Sequence, residues 1–290
     1  MSSKLEKELS SEFEYDSTKE YYYVSGDAQE IYFDGSKESV KLLKNLLNLR
    51  PNLKKQIFLK ILPYWKYNPI KKTAKLPYDP NNNCPGNTIL VSNRVVSFDF
   101  ERKMVTIMNL SNPSKEKEFR EVLLGLGLNV PEIVNIGNNY IQEELVNITR
   151  LGSLRRNQQV LEEIYEDLLN FYAFNGVNEE NGVYKTLVHG DFHIGNLGMS
   201  QESIFIFVWE NRGLRPIYYD LIKFLWVEYK HEKVFYKEVL EKLVLKTSRK
   251  LHMSENKLSR NVLYALDELM SDKDSKRADE FSCKVEKLYG

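Results

Sequence analysis

The sequence predicts an α+β fold in two lobes, a small β-rich lobe first and a larger helical lobe after it. Three observations carry this expectation. Short β-prone runs separated by turn residues dominate the stretch before Val146. From Val160 onward apolar residues recur at helical spacing, and Lys230–Tyr289 is helical in character. Between these regions, the block Leu187–Trp226 sets apolar strand-like runs around a polar, glycine-containing loop. The boundaries expected are 1–86 for an N-terminal extension and early first lobe, 87–146 for the β-rich lobe and 147–290 for the helical lobe.

The first elements follow from local pattern. Residues 1–20 are polar and acidic, and read as frayed or helical. Tyr21–Val24 and Gln29–Phe33 flank Ser25-Gly26-Asp27, a hairpin signal. Ser36 is placed to cap a helix through Val40, Leu42, Leu43, Leu46 and Leu47, and Pro51 ends it. Ile57–Trp65 is a second apolar segment. Residues 77–87, with three prolines and three consecutive asparagines, read as a loop.

A meander follows, Thr88–Val91, Val95–Phe100 and Met104–Met108, its last turn at Glu101-Arg102-Lys103. Ser111-Asn112-Pro113-Ser114 leads into an amphipathic helix, Lys115–Leu126. Tyr140–Val146 is a further strand after the Gly137-Asn138-Asn139 turn. Val160–Phe174 is a long helix with Leu161, Ile164, Leu168 and Phe171 on one face.

Composition narrows the function classes. The chain has 290 residues, 42% hydrophobic and 28% charged, enough for a packed core. Formal net charge is zero, so the whole molecule has no preference for polyanions. Cys84 and Cys283 stand far apart and form no metal-ligand spacing, and two reduced thiols are expected. The N-terminus has no apolar core of a signal peptide, and no run approaches the ~18 apolar residues of a membrane span. These features predict a soluble, cytoplasmic protein. Charge is nevertheless unevenly spread. Residues 40–78 hold ten Lys or Arg and no acidic residue, interleaved with Leu, Ile, Phe, Tyr and Trp. Such a segment either contacts an anionic surface or lies beside the acidic N-terminus as a solvated face. No nucleic-acid motif accompanies it, and no specific nucleic acid is expected.

The chemistry concentrates in one loop. Two of the four histidines lie in His189-Gly190-Asp191-Phe192-His193-Ile194-Gly195-Asn196. Leu187-Val188 lead in as a strand, and Ile204–Trp209 read as the second strand of a hairpin. Phosphoryl transfer needs a carboxylate to orient the attacking hydroxyl and an oxygen ligand for a hard cation, both fixed near the transferred phosphate. Asp191 and Asn196 have the D-x-x-x-x-N spacing that supplies both. The paired histidines also suggest a metal site, but Gly190 and Gly195 argue for a loop rather than a helix sharing one face. The elbow, zincin and P-loop motifs of other enzyme classes are missing.

His-Gly-Asp-x-His-x-x-Asn resembles the Brenner motif of the aminoglycoside phosphotransferase and choline kinase family, a branch of the protein-kinase-like fold. Val208-Trp209-Glu210 looks like that family's Asp-Trp-Glu-like triplet. Tyr219-Asp220-Leu221 looks like its helix-starting Tyr-Asp-Leu. The match is strong over 187–226 and a matter of pattern upstream. The resemblance implies a bilobal kinase fold and an ATP-dependent (or other NTP-dependent), Mg²⁺-requiring transfer to a small-molecule hydroxyl. It implies Asp191 as base, His189 and His193 as braces of the catalytic loop, and Asp220 hydrogen-bonding back to it. Asn196 and Glu210 become the metal ligands, and Asn196, Glu210, Glu144 and Lys103 the nucleotide-binding positions.

Two departures from the family pattern stand out. The family's metal-binding Asp is Val208 here, and valine offers no hard oxygen to Mg²⁺. Glu210 replaces it only if the strand bends or ends there, because residues two apart on a strand face the same side. The strand Met104–Met108 also lacks an interior Lys for the phosphates; Lys103 sits at its turn end, with Glu118 or Glu121 as the helix partners on offer. No Gly-rich phosphate loop precedes it. A non-catalytic, kinase-shaped protein that binds a nucleotide or a partner is therefore the alternative.

Overall fold

The protein is described by a computed structural model. It describes residues 94–290, except 101, 109, 152–157, 202, 272 and 274, and six earlier strand segments as backbone. The chain divides into two compact units: residues 1–121 with 131–147, and 122–130 with 148–290. No described helix is long and apolar enough to cross a membrane.

The first unit is built on antiparallel strands. β1 (Glu14–Asp16) pairs with β5 (Leu76–Tyr78). An eight-stranded sheet contains β2 (Tyr21–Gly26), β3 (Gln29–Phe33), β4 (Lys71–Lys72), β6 (Asn87–Val91), β7 (Arg94–Asp99) and β8 (Met104–Met108). It also takes in β9 (Ile133–Ile136) and β10 (Ile141–Glu144), in the order β4-β2-β3-β6-β7-β8-β10-β9. The hairpin at Ser25-Gly26-Asp27 and the three-strand meander stand as the turn residues predict.

Two expectations are corrected, and one strand was not foreseen. Residues 14–16 are strand, not frayed or helical, and Pro77 and Tyr78, expected to open a loop, belong to the strand Leu76–Tyr78. Each is stabilised by a partner about sixty residues away, which no local pattern carries. Strand β9 was missed. It is a short edge strand with Val134 62% exposed, so its alternation is weak. The helix expected after Ser36, the segment Ile57–Trp65 and most of the basic stretch 40–78 lie outside the described residues.

Alternation along β8 buries Val105 and Ile107 with Leu110, Ile133 and Ile141 in one apolar cluster. Helix α1 (Pro113–Gly125) runs from this unit into the next. Asn112 caps it by accepting from Lys115 N at 3.0 Å. The buried charge on α1 is Arg120, and Glu118 and Glu121 are exposed. Arg120 pairs with Glu116 at 3.1 Å and with Glu143 of β10 at 3.4 Å, and also donates to Pro131 O. The helix-to-sheet charge pair therefore has its cation on the helix, the reverse of what the strand-Lys expectation required.

The second unit has two three-stranded antiparallel sheets. One is β11 (Thr149–Arg150), β14 (Leu197–Ser200) and β15 (Ser203–Ile206). The other is β12 (Asn178–Glu180), β13 (Val183–Val188) and β16 (Gly213–Pro216). Helices α2 (Gln158–Asn175), α3 (Tyr219–Glu232), α4 (Lys237–Lys250), α5 (Leu258–Met270) and α6 (Lys276–Tyr289) bury their apolar faces together. Phe281 of α6 meets Trp226 and Tyr229 of α3 at 5.5 and 5.6 Å between ring centroids. Asn261 of α5 accepts from Tyr184 N and donates to Gly182 O, tying α5 to the β12–β13 hairpin.

The hairpin read at 204–209 is redrawn. β15 ends at Ile206 and pairs with β14, while β13 pairs with β12 and β16. The loop 189–196 thus connects two different sheets. It leaves β13, and a single 3₁₀ turn at Ile194–Asn196 delivers the chain into β14.

Candidate active site

Asp220 organises the loop. It is fully buried in the first turn of α3, where a negative charge is favoured by the helix dipole. Its Oδ2 accepts from His189 N at 2.8 Å and from the Tyr172 hydroxyl at 2.7 Å; its Oδ1 accepts from Gly190 N at 2.8 Å. Burial and the Asp220 charge push the Tyr172 hydroxyl well above its usual range, so it remains a donor. Gly190 has φ +79°, and a Cβ there would stand 2.0 Å from the carbonyl oxygen of Asn211. Only glycine fits.

His189 is buried with both ring nitrogens engaged. Nε2 donates to Phe207 O at 2.9 Å and Nδ1 accepts from Asp191 N at 3.1 Å. Burial pulls its pKa down against the opposing pull of Asp220, so the ring is neutral. Neither nitrogen is open to a metal, which removes the paired-histidine metal site considered from the sequence. Trp209 packs on the ring at 4.6 Å and on Phe171 at 5.3 Å. Among the described residues no cluster of three or more His, Cys, Asp or Glu comes together as a metal site.

Asp191, half-buried, is held by an amide donor and faced by a histidine and a lysine. Asn196 Nδ2 donates to its carbonyl at 2.8 Å and to its Oδ2 at 3.2 Å. His193 Nε2 lies 3.7 Å from Oδ2, an electrostatic neighbour rather than a hydrogen-bond partner. His193 Nδ1 accepts from Gly195 N and caps the 3₁₀ turn. Lys223 Nζ stands 3.1 Å from Oδ1. Burial alone would raise the Asp191 carboxyl, but His193 and Lys223 outweigh it and hold the group well below the usual carboxylate range.

Lys223 was not foreseen. A signal for it was present: Asp220 and Lys223 are three residues apart on one helix and therefore share a face. A helix whose Asp220 braces the loop must bring Lys223 beside it. Tyr172 carried no such signal, because nothing local links it to residue 220.

Val208 turns the chain after β15. It adopts φ 63° and ψ 59°, a left-handed conformation that a β-branched residue rarely takes, and is 37% exposed. Trp209–Asn211 then form a 3₁₀ turn. The condition for Glu210 to replace an acid at 208, a strand that ends or bends, is therefore met by the backbone. Asn196 also has the chemistry of a cation ligand: its nitrogen is turned onto Asp191, which turns Oδ1 the other way.

The remaining sequence candidates lie in the first unit. Lys103 is exposed in the β7–β8 turn with φ 54°, and its carbonyl accepts from Leu145 N. Glu144 is exposed at the end of β10 and accepts from Glu132 N at 3.4 Å. His189, Asp191, His193 and Asn196 come together in the second unit; Lys103 and Glu144 lie near one another at paired strand ends of the first.

Neither a protein-family model nor a curated protein sequence matches the chain. Solved structures do. The choline kinase LicA from Streptococcus pneumoniae is 15% identical with a TM-score of 0.45, over 68% of this chain and 89% of that one. The amicoumacin kinase hAmiN is 11% identical with a TM-score of 0.42, over 67% and 85%. The aminoglycoside phosphotransferase APH(3'')-Id from Streptomyces rimosus is 9% identical with a TM-score of 0.39, over 67% and 92%. The structural neighbours are thus small-molecule kinases at low sequence identity.

Proposed function

We propose that this chain is an ATP-dependent phosphotransferase that acts on a hydroxyl group of a small molecule, with Asp191 as the orienting base. The observation that carries the proposal is the Asp191–Asn196 pair. Asn196 Nδ2 holds Asp191 through both its carbonyl and its carboxylate, on a loop anchored by Asp220. A rigid carboxylate beside an amide oxygen is the arrangement phosphoryl transfer requires.

The acceptor hydroxyl donates to Asp191 and is aimed at the γ-phosphorus. The oxygen–phosphorus bond forms as the bond to the β,γ-bridging oxygen breaks, and ADP leaves with that electron pair. The hydroxyl proton passes to Asp191. A Mg²⁺ ion held by Asn196 and Glu210 would offset the negative charge of the phosphates. Because Asp191 is a weak base in its paired state, its main work is to orient the hydroxyl, with proton uptake late in the transfer.

A second reading is favoured by Val208, which offers no oxygen where the sequence resemblance expects one. In it the chain binds a nucleotide without transferring phosphate. Turnover separates the two. Asp191→Ala is expected to keep MgATP binding and lower kcat by roughly 10²–10⁴-fold, the usual weight of a positioned acid–base group. An Asp191→Ala variant as active as the parent rules out the phosphotransferase reading as framed. A wild type that binds MgATP and transfers nothing supports the second.

A further inference from the structure

We infer that Lys223 sets the charge class of the acceptor: the site takes a hydroxyl compound that is neutral or anionic beside its reacting group and disfavours one that is cationic there. This rests on the phosphotransferase reading, since it names the acceptor of the same loop.

The argument is geometric. A half-buried carboxylate standing alone attracts cations. Asp191 does not stand alone, because Lys223 Nζ lies 3.1 Å from its Oδ1. Its Oδ2 is engaged by Asn196 Nδ2 at 3.2 Å. An acceptor hydroxyl that bonds Asp191 comes within about 3 Å of a carboxylate oxygen, and so stands no more than about 6–8 Å from the ammonium by the same hydrogen-bond lengths. A charge two carbons from that hydroxyl feels Lys223 within one screening length, about 8–10 Å in physiological salt.

Among the described residues, the other groups around Asp191 add no carboxylate that would restore an attraction for cations. His193 faces Oδ2 from the loop. Neutral His189 lies behind the loop, accepting from Asp191 N. Asp220 is turned away, its oxygens occupied by Tyr172, His189 and Gly190. Tyr219, one turn before Lys223 on α3, carries the Arg215 guanidinium 4.5 Å from its ring centre. Arg215 is in turn paired with Glu268 at 3.1 Å. Lys223 is the cation that meets the acceptor-facing carboxylate directly.

The test compares three alcohols of one shape: choline, its neutral carbon isostere and anionic isethionate. Each is titrated by calorimetry into the full chain holding Mg²⁺ and a non-hydrolysable ATP analogue, and offered as acceptor with ATP under phosphorus NMR. Wild type is expected to favour the neutral and anionic alcohols over choline by about tenfold or more, given unit charges at these separations. Lys223→Arg keeps the order, and Lys223→Gln levels it. Wild type that handles choline as well as the neutral isostere overturns the inference, as does an order unchanged in Lys223→Gln, or no binding of any of the three. The charge order in binding with no phosphate moved to any alcohol sinks the phosphotransferase reading instead, and leaves charge selection standing.

Discussion

Replacing Asp220 by Asn tests whether one buried carboxylate holds the candidate site together. Asp220 accepts three hydrogen bonds, two on Oδ2 and one on Oδ1. An Asn oxygen in the Oδ2 position keeps the bonds from Tyr172 and His189, now to a neutral acceptor. Its NH₂ then faces Gly190 N–H, donor against donor. The lost charged hydrogen bond is worth about 1.5–3 kcal/mol and the stranded buried N–H costs about 1–3 more, so about 2.5–6 kcal/mol in all. Tyr172→Phe removes one donor, leaves both backbone bonds and keeps the ring packing, so about 1–2 kcal/mol is expected. Urea unfolding checks both, followed by tryptophan fluorescence, to which Trp209, packed on His189 at 4.6 Å, contributes. The midpoint should fall in the order wild type, Tyr172→Phe, Asp220→Asn, with the slope unchanged. An Asp220→Asn protein within about 0.5 kcal/mol of wild type, the range of an ordinary surface change, refutes the reasoning.

Other expectations follow from single features. Arg120 and Glu143 are a nearly buried pair, so Arg120→Met or Glu143→Gln should each destabilise the first unit by about 3–5 kcal/mol; a double change to apolar residues that recovers most of this in thermal unfolding would confirm the pairing. Val208→Asn should raise stability by about 1 kcal/mol by relieving the left-handed valine; an unchanged midpoint argues against strain there. Val208→Asp should add tighter Mg²⁺–ATP binding to that gain, whereas Glu210→Gln should abolish Mg²⁺-dependent binding if Glu210 already serves the metal, both read by calorimetry. Burial depresses the His189 pKa, so the unfolded chain binds the extra proton first. The contribution of neutral His189 to stability is full above the unfolded value of about 6.5 and is lost as pH falls below it. His189→Asn should flatten stability against pH just below that value, and an unaltered slope would count against a neutral, buried ring.

The residues of the candidate loop were legible because their spacing is local. His189, Asp191, His193 and Asn196 fall within eight residues, and a loop that short cannot scatter them. The amphipathic helices and the meander were legible for a similar reason: apolar period and turn residues are properties of a few neighbours. Glu210 stayed open, because the sequence shows only that it is two residues from Val208, not whether the backbone is still strand.

What the sequence by itself determined is the α+β character and the residues that the loop 189–196 brings together. Only the tertiary structure decided which strands meet, and it separated the two that flank the loop into different sheets. It also brought Tyr172, Asp220 and Lys223 to that loop from two helices, and put the buried charge of α1 on Arg120. The contacts that hold the loop and Arg120 join residues tens of positions apart. Their pairing is chosen by burial and by hydrogen bonds across elements, and neither leaves a periodic mark in the chain.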